Sequence, residues 1–356
     1  MAGRGGAAWT EEPRERSDRS DEGRRRHERR PDACAGSIMR LFVEAWDPGF
    51  GAGVESSEFV NGNGSSAEID TEVERPAEAW EPLSPAPDVR APDVVLMVDG
   101  VRRRDARVWV GDETDVQPGL AASYAAGVVR CDLRRGAAEV VTARVERGVF
   151  TSFPDATELL TGAARYTVHQ TKNGDQRVLD NALQARLAAL EAAVCAESRD
   201  ESTADELIVA DGLLGSRANA SRMLGYIKSQ EQPYLPAALT PVMTALRAGQ
   251  RTPVFRLGTR FRHYTWYLRL PGPKGAPWGN LVRVECSTEL PPVAAVALAD
   301  LSAVTLPRFA ATSYKDPRAP QNLMPIAGLE RRLRAMLGDG RLLHRALTRT
   351  ANQVPV

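Results

Sequence analysis

The sequence predicts an α/β fold, a mixed sheet whose antiparallel strands lead into a parallel strand reached across a helix. Three observations predict it. From Val94 onward, four runs carry strand signals: VVLMVDGVRRR, DARVWVGD, LAASYAAGVVRCDL and AAEVVTARVERGVFTS. The period then changes at Asn181–Glu197, where Leu183, Leu187, Leu190 and Val194 recur at three- and four-residue spacing, as on one face of a helix. The unbroken apolar run Leu207–Ala210, closed by Asp211-Gly212, follows that helix and reads as a buried strand. Strands first, then helix–strand alternation, is the pattern of an α/β sheet with flanking helices and an elaborated C-terminal half.

Taken in order, residues 1–38 are dense in Arg with Glu, Asp and Ser, and too poor in apolar groups to offset the entropy of ordering, so a disordered tail is expected. Met39 sits just before Arg40–Trp46 (RLFVEAW), a short strand, and the rest of residues 39–93 is rich in Gly, Ser, Pro and acids, which suits a loop or extended arm. The main domain is expected over residues 94–345. Its first four strand runs form an antiparallel meander, with the bend after VVLMVDGVRR at Arg104–Ala106. Beyond the second buried strand, Met223–Lys228 reads as a strand and residues 238–249 as a helix ended by Gly249. Thr252–Leu257, His263–Leu270 and Leu281–Cys286 read as strands. Residues 292–305 are apolar and helix-like, and Leu323–Leu337 is an amphipathic helix stopped by Gly338.

Composition narrows the function classes. Lysine plus arginine equal aspartate plus glutamate at 46 each, so no global basic field marks the chain as a nucleic-acid binder. Its 356 residues hold four cysteines with no CxxC spacing and four scattered histidines, a set that suits reduced thiols in a cytoplasm and supports no zinc site. No run reads as long enough to span a bilayer, and no membrane association is expected. GxSxG and SxxK signatures are absent, as is the GxGxxG of dinucleotide binding, and Leu270–Asn280 (LPGPKGAPWGN) lacks the GK[ST] of a phosphate loop.

What remains is carboxylates at the ends of apolar strands and on a helix. Asp99 closes the run VVLMV, Asp211 closes LIVA, and Glu191 lies on the intervening helix. For each Asp-Gly pair two readings stand. The dipeptide is a common hairpin turn, since both residues tolerate positive φ. Alternatively the strands deliver acids to one site, where three carboxylates suit Mn²⁺ or Mg²⁺, hard ions that take oxygen ligands. Two such ions activate a water and stabilise the leaving oxygen of a phosphodiester. Glu191 has the plainer reading of a solvated helix-shoulder residue.

The ordered set Val98-Asp99-Gly100, Leu187–Glu191 (LAALE), Ala210–Leu214 (ADGLL) and Gly225–Leu235 (GYIKSQEQPYL) resembles that of NurA-domain nucleases, over roughly residues 90–345. The resemblance implies an RNase H-like domain and a Mn²⁺- or Mg²⁺-dependent nuclease acting on DNA ends. It also implies a homodimer partnered with a HerA-type hexameric ATPase that pumps DNA, in repair or defence. Carried over by position, Asp99, Glu191 and Asp211 would be metal ligands. Lys228 would lie beside them, holding a phosphate or ordering a carboxylate, or would be an ordinary strand-end lysine. Where family members carry a C-terminal histidine, Val293–Ala299 is followed by Asp300, expected here as the replacement metal ligand. Val101 stands where Ser is usual. These departures leave open a catalytically altered or inactive adaptor of the same fold. A third reading is an RNase H-like enzyme acting on RNA or hybrids.

DNA contacts are expected from Arg102, Arg103 and Arg104, from Arg260 and Arg262 beside Tyr264 and Trp266, and from Arg331, Arg332 and Arg334, because cations interleaved with aromatics suit single strands. The same strand pattern also fits an inward aromatic face with solvated arginines. In Tyr314–Ile326 (YKDPRAPQNLMPI), Asp316, Arg318, Gln321 and Asn322 either meet a phosphate backbone or fix the loop, with Asn322 capping the last helix.

Overall fold

In a computed structural model, which describes residues 68–112, 115–199, 205–215, 221–228, 234–258, 262–273 and 275–353, the apolar run at Val94 is the start of one 18-residue strand. This strand, β2 (Val94–Gly111), follows a short β1 (Glu68–Asp70) and does not bend at Arg104–Ala106. The chain takes a β-bulge there, between Arg104 and Ala106, so VVLMVDGVRRR and DARVWVGD are a single strand. An extra residue twists a strand locally without ending it. The tail at 1–38 and the expected strand at Arg40–Trp46 lie outside the described residues.

β3 (Val116–Asp132) and β4 (Ala137–Thr151) complete the antiparallel meander. Two strands not foreseen, β5 (Leu159–Leu160) and β6 (Arg165–Gln170), extend it, with β6 parallel to the end of β4. Helix α1 (Gln176–Ser198) then crosses to β7 (Glu206–Asp211), which runs parallel to β2, and β8 (Met223–Ile227) runs parallel to β7. The order β4-β3-β2-β7-β8, three antiparallel strands followed by two parallel ones reached across a helix, is an RNase H-like sheet. The C-terminal half elaborates it: β9 (Phe255–Gly258), β10 (Arg262–Arg269) and β11 (Leu281–Ser287) add antiparallel to β8 and end at β1. Between β8 and β9, the expected helix over 238–249 is only α2 (Thr240–Ala245).

Strand alternation sorts the sheet into two faces. Val94, Leu96 and Val98 of β2, with Ile208 and Ala210 of β7, pack on Leu179, Leu183, Leu187, Leu190 and Val194 of α1. Val95, Met97 and Val101, with Leu207, Val209, Leu224 and Tyr226, pack on the opposite layer. That layer is α3 (Pro292–Thr305) and α4 (Met324–Met336). In β10, Tyr264, Trp266 and Leu268 are buried in it, the inward aromatic face that the strand pattern allowed.

Contrary to the sequence reading, one stretch, Pro292–Phe309, is long and apolar enough to cross a bilayer by length and composition. In the fold its Ala295, Leu298, Ala299 and Leu301 join the core, and Ser302 Oγ accepts the Trp266 indole N–H at 3.0 Å. A second helix after Gly338, α5 (Gly340–Gln353), was not foreseen. Gly338 has φ 75° and does stop α4, but Asp339 accepts the Arg341 N–H at 2.7 Å and restarts the helix. Leu347 of α5 then packs on Ala121, Val149 and Tyr166.

Candidate active site

β2 and β7 are paired only as far as Val98 and Ala210. The next residues in that parallel register are Asp99 and Asp211. By alternation they share the face of Met97 and Val209, toward the α3–α4 layer and away from α1. Two acids therefore lie at the point where the strands part, the kind of position, at the carboxyl ends of parallel strands, where open α/β sheets bind ligands. The two Asp-Gly pairs differ. Gly100 continues β2 and pairs with Ala126, so no turn follows Asp99, whose Oδ1 accepts the Gly100 N–H at 2.8 Å. Gly212 has φ 92° and does turn the chain, its N–H bonded to Tyr226 O at 2.8 Å. Only the second pair is a turn.

Gly100 has a different use. A Cβ there would collide with Glu191 Oε1 and lie 2.7 Å from Leu187 Cδ1. Its missing side chain lets the Glu191 carboxylate approach β2 from the α1 layer, one residue past Asp99. Glu191 is buried, so it is not a solvated helix-shoulder residue.

Lys228, just past β8, reaches back to Asp211 Oδ2 at 2.5 Å and donates to Asn322 Oδ1 at 2.9 Å. Asn322 in turn donates to Asp316 Oδ2 at 2.6 Å. The N-cap of α4 is Leu323 with no side-chain cap, so Asn322 does not cap the helix but links Lys228 to the Tyr314–Asn322 loop. Burial pushes the Asp99 carboxyl well above the usual carboxylate range, and the charges of Asp211, Glu191 and Glu330 push the same way while Lys228 opposes them. These acids thus share one electrostatic neighbourhood, with the Lys228 ammonium as the counter-charge acting on Asp99.

Glu330 was not foreseen. It lies on α4 between Ile326, Leu329 and Leu333, buried residues of the apolar face, and accepts from Arg318 at 2.5 Å and Arg334 at 2.6 Å. An acid interrupting an apolar face was the signal available in the sequence. Burial alone would raise the Glu330 carboxyl, but those two arginines together hold it below its usual range.

Three expected positions have ionic partners within the fold. Asp300 is held by the guanidinium of Arg251, at 2.8 Å from Nε; Arg251 also bonds both oxygens of Glu74 at 2.8 and 3.0 Å. Arg103 donates to Asp105 Oδ1 at 2.9 Å and to Gly338 O at 2.6 Å, so it ties the bulge to the end of α4. Arg318 donates to Glu330 Oε2 at 2.5 Å. Arg102 lies on the α1 face, beside Tyr124 in the β2–β3 register. Of the other basic candidates, Arg104 forms a two-pronged pair with Asp180 at 2.9 and 2.7 Å, while Arg260 lies outside the described residues.

Among the described residues, no three acidic, imidazole or thiol side chains are already gathered around one point. The donor chemistry nevertheless fits a hard divalent ion: oxygen-only ligands with excess negative charge, whose repulsion such an ion would relieve.

No family model and no curated protein sequence matches the chain. Among solved structures it is similar to the NurA nuclease from Sulfolobus solfataricus, with 11% identity and a TM-score of 0.45 over 78% of this chain and 90% of that one. It is also similar to endonuclease V from Bacillus subtilis (12% identity, TM-score 0.33, 71% and 85% covered). The catalytic domain of human endonuclease V is a third (16%, 0.34, 69% and 85%). A NurA nuclease, a member of the family whose motifs the sequence resembles, is thus one of the solved structures to which this chain is similar.

Proposed function

We propose that this protein is a metal-dependent nuclease that hydrolyses phosphodiester bonds at DNA ends. The observation that carries the proposal is the pair Asp99–Asp211, adjacent in register where β2 and β7 part, with Glu191 admitted at Gly100. Asp99, Asp211 and Glu191 would hold Mn²⁺ or Mg²⁺, which supplies a Lewis acid and an activated water when bound. Lys228 orders Asp211 and offers its ammonium to a phosphate oxygen, and Asn322 fixes the Lys228 side chain. Arg318 and Arg334 keep Glu330 ionised beside this group. The motif resemblance extends the proposal to a cytoplasmic homodimer working with a HerA-type hexameric ATPase.

The test is incubation of the full chain with labelled linear single- and double-stranded DNA, RNA and hybrids, with Mn²⁺ or with EDTA. The expected result is Mn²⁺-dependent shortening of DNA that Asp211→Ala abolishes; DNA left intact with and without the ATPase would refute the enzyme. Preferential loss of RNA or hybrid would assign the substrate to those instead. A second reading, an adaptor of the same fold that binds without cutting, is favoured by the Lys228 ammonium already seated on Asp211.

Gly100→Ala separates these details further. The added methyl must displace Glu191 or Leu187, so cleavage and Mn²⁺ affinity are both expected to fall about tenfold or more, since misplacement by an ångström costs that much or greater. Unchanged activity in that variant would remove Glu191 from the site.

A further inference from the structure

On the α1 face of the sheet, away from the layer that holds Asp99 and Asp211, a cavity of about 360 Å³ is lined by Tyr124, Glu146, Arg165, Thr167, His169 and Arg186. Its size is near the lower end for small-molecule sites. The histidine is seated in advance. A Cβ on residue 148 would lie 2.5 Å from His169 Cδ2 and 2.9 Å from Nε2, so only Gly148 leaves room for the ring. Phe150 supports it with ring centroids 4.9 Å apart, and Nε2 is 3.4 Å from the Tyr124 hydroxyl. That hydroxyl, on a fully buried tyrosine, donates to Glu146 Oε2 at 2.9 Å. A ring held this way loses little freedom when a ligand arrives.

The guanidinium groups are held more loosely. Arg165 meets Glu158 at 3.5 Å, and Arg186 meets Glu146 at 3.8 Å while also acting on the Tyr124 hydroxyl. Arg104 and Arg251, by contrast, are locked to their acids at 2.7–2.8 Å. A guanidinium has five N–H donors in a planar fork that matches phosphate oxygens, and one long ion pair leaves most of them available. Three guanidinium groups, those of Arg165, Arg186 and Arg147 (the last also donating to Leu337 O at 3.3 Å), an imidazole and the Thr167 hydroxyl share this cavity with the Glu146 carboxylate, so its lining is rich in donors. A monoester, with three terminal oxygens and more charge than a diester, suits such a donor set better than a strand passing through.

We infer that this cavity binds a phosphate monoester, with Arg165 and Arg186 on the phosphate oxygens and His169 and Thr167 completing the donors. The inference does not rest on the nuclease reading, because none of these residues belongs to the Asp99 group. The phosphate could be that of a free nucleotide or of a nucleic-acid end, and the probes distinguish the two.

The experiment uses the full chain in EDTA, so that no cleavage occurs. Titration calorimetry is run with dAMP and deoxyadenosine, and with single-stranded oligonucleotides bearing either a 5′-phosphate or a 5′-hydroxyl. Binding of dAMP without binding of deoxyadenosine is expected. Arg165→Gln and Arg186→Gln should each weaken it about tenfold or more, the scale of a lost charge-assisted contact, while Asp99→Ala leaves it unchanged. Both arginine side chains are solvent-exposed, so the variants are expected to fold, and Thr167→Val provides a further probe with a smaller loss. Tighter binding of the phosphorylated oligonucleotide than of its hydroxyl form assigns the site to nucleic-acid ends; equal binding of the two, with dAMP bound, assigns it to nucleotides. Failure of dAMP and of the phosphorylated oligonucleotide to bind at millimolar concentration overturns the inference. So does wild-type binding by both arginine variants.

Discussion

Asp99→Asn is expected to abolish cleavage while making the metal-free protein more stable. The two effects have one cause. Asp99 is buried among Asp211, Glu191 and Glu330, and burial together with those charges raises its carboxyl well above the usual range. The folded chain then binds that proton more tightly than the unfolded chain. Stability contributed by the protonated form is lost as pH rises from the ordinary carboxylate range through the raised value. Asparagine keeps the shape and removes the charge, so at neutral pH the metal-free variant melts higher, by about 2–4 °C for each kcal/mol gained. At low pH, where both side chains are neutral, the gap closes. Cleavage moves the other way. If Asp99 holds the ion as proposed, an ion that stabilises the transition state by several kcal/mol, its loss is expected to cost about 10³-fold or more. Thermal melts from acid to neutral pH, beside a DNA cleavage time course, check both halves. A variant that melts lower than wild type at neutral pH would mean that Asp99 is favourably ionised in the fold.

The second large effect is on stability alone. Arg251→Met is expected to destabilise the fold by about 3–5 kcal/mol, the range for breaking a buried ion pair from one side, which corresponds to roughly 10 °C in melting temperature. Arg251 is 2% exposed and joins three distant segments. It pairs with Glu74 from the stretch after β1 and with Asp300 from α3, and it also bonds Thr252 O at 3.0 Å. Glu74 further accepts the Val254 N–H at 2.7 Å. Removing the cation leaves two acids facing each other, largely out of water. The triple variant Arg251→Met, Glu74→Gln, Asp300→Asn should recover part of the loss, because the uncompensated charges go with it. Calorimetric melts of the single and triple variants check this, and equal losses in the two would place the effect in packing and not in charge.

The sheet is legible in the sequence wherever period-two and helical-period signals are strong. The meander from Val94, the helix around Leu183–Val194 and the strand Leu207–Asp211 all form, although α1 begins earlier, at Gln176. The strand β6 is not legible because RYTVHQ is short and polar on one side, covering only the end of β4. The helix α5 is hidden because Gly338 reads as a terminus, while the restart depends on one aspartate.

At the site, the sequence shows acids at strand ends but not which neighbours they meet. Glu191 reaches β2 next to Asp99 through an absence, the missing side chain of Gly100, whose use only the packing of α1 on β2 displays. Asp300 follows an apolar helix segment, a place that suggests a ligand, yet Arg251, nearly fifty residues earlier, holds it. Glu330 interrupts the apolar face of its helix in the sequence, but that pattern does not say what the acid meets. Only the fold shows that α4 lies over β2 and that Arg318 and Arg334 hold the acid there. Arg103 and Arg318 look like exposed cations because sequence shows charge without its partner. Both are held by acids that come close through the bulge and the C-terminal loop.

Whether Asp99, Asp211 and Glu191 hold one divalent ion is read by Mn²⁺ titration followed by electron paramagnetic resonance. It needs neither substrate nor partner. Wild type is expected to deplete the free Mn²⁺ signal with saturation, and Asp99→Asn and Asp211→Asn each to weaken this binding at least about tenfold. Wild-type binding by both variants, or no binding by the wild-type chain, would contradict a shared ion centre.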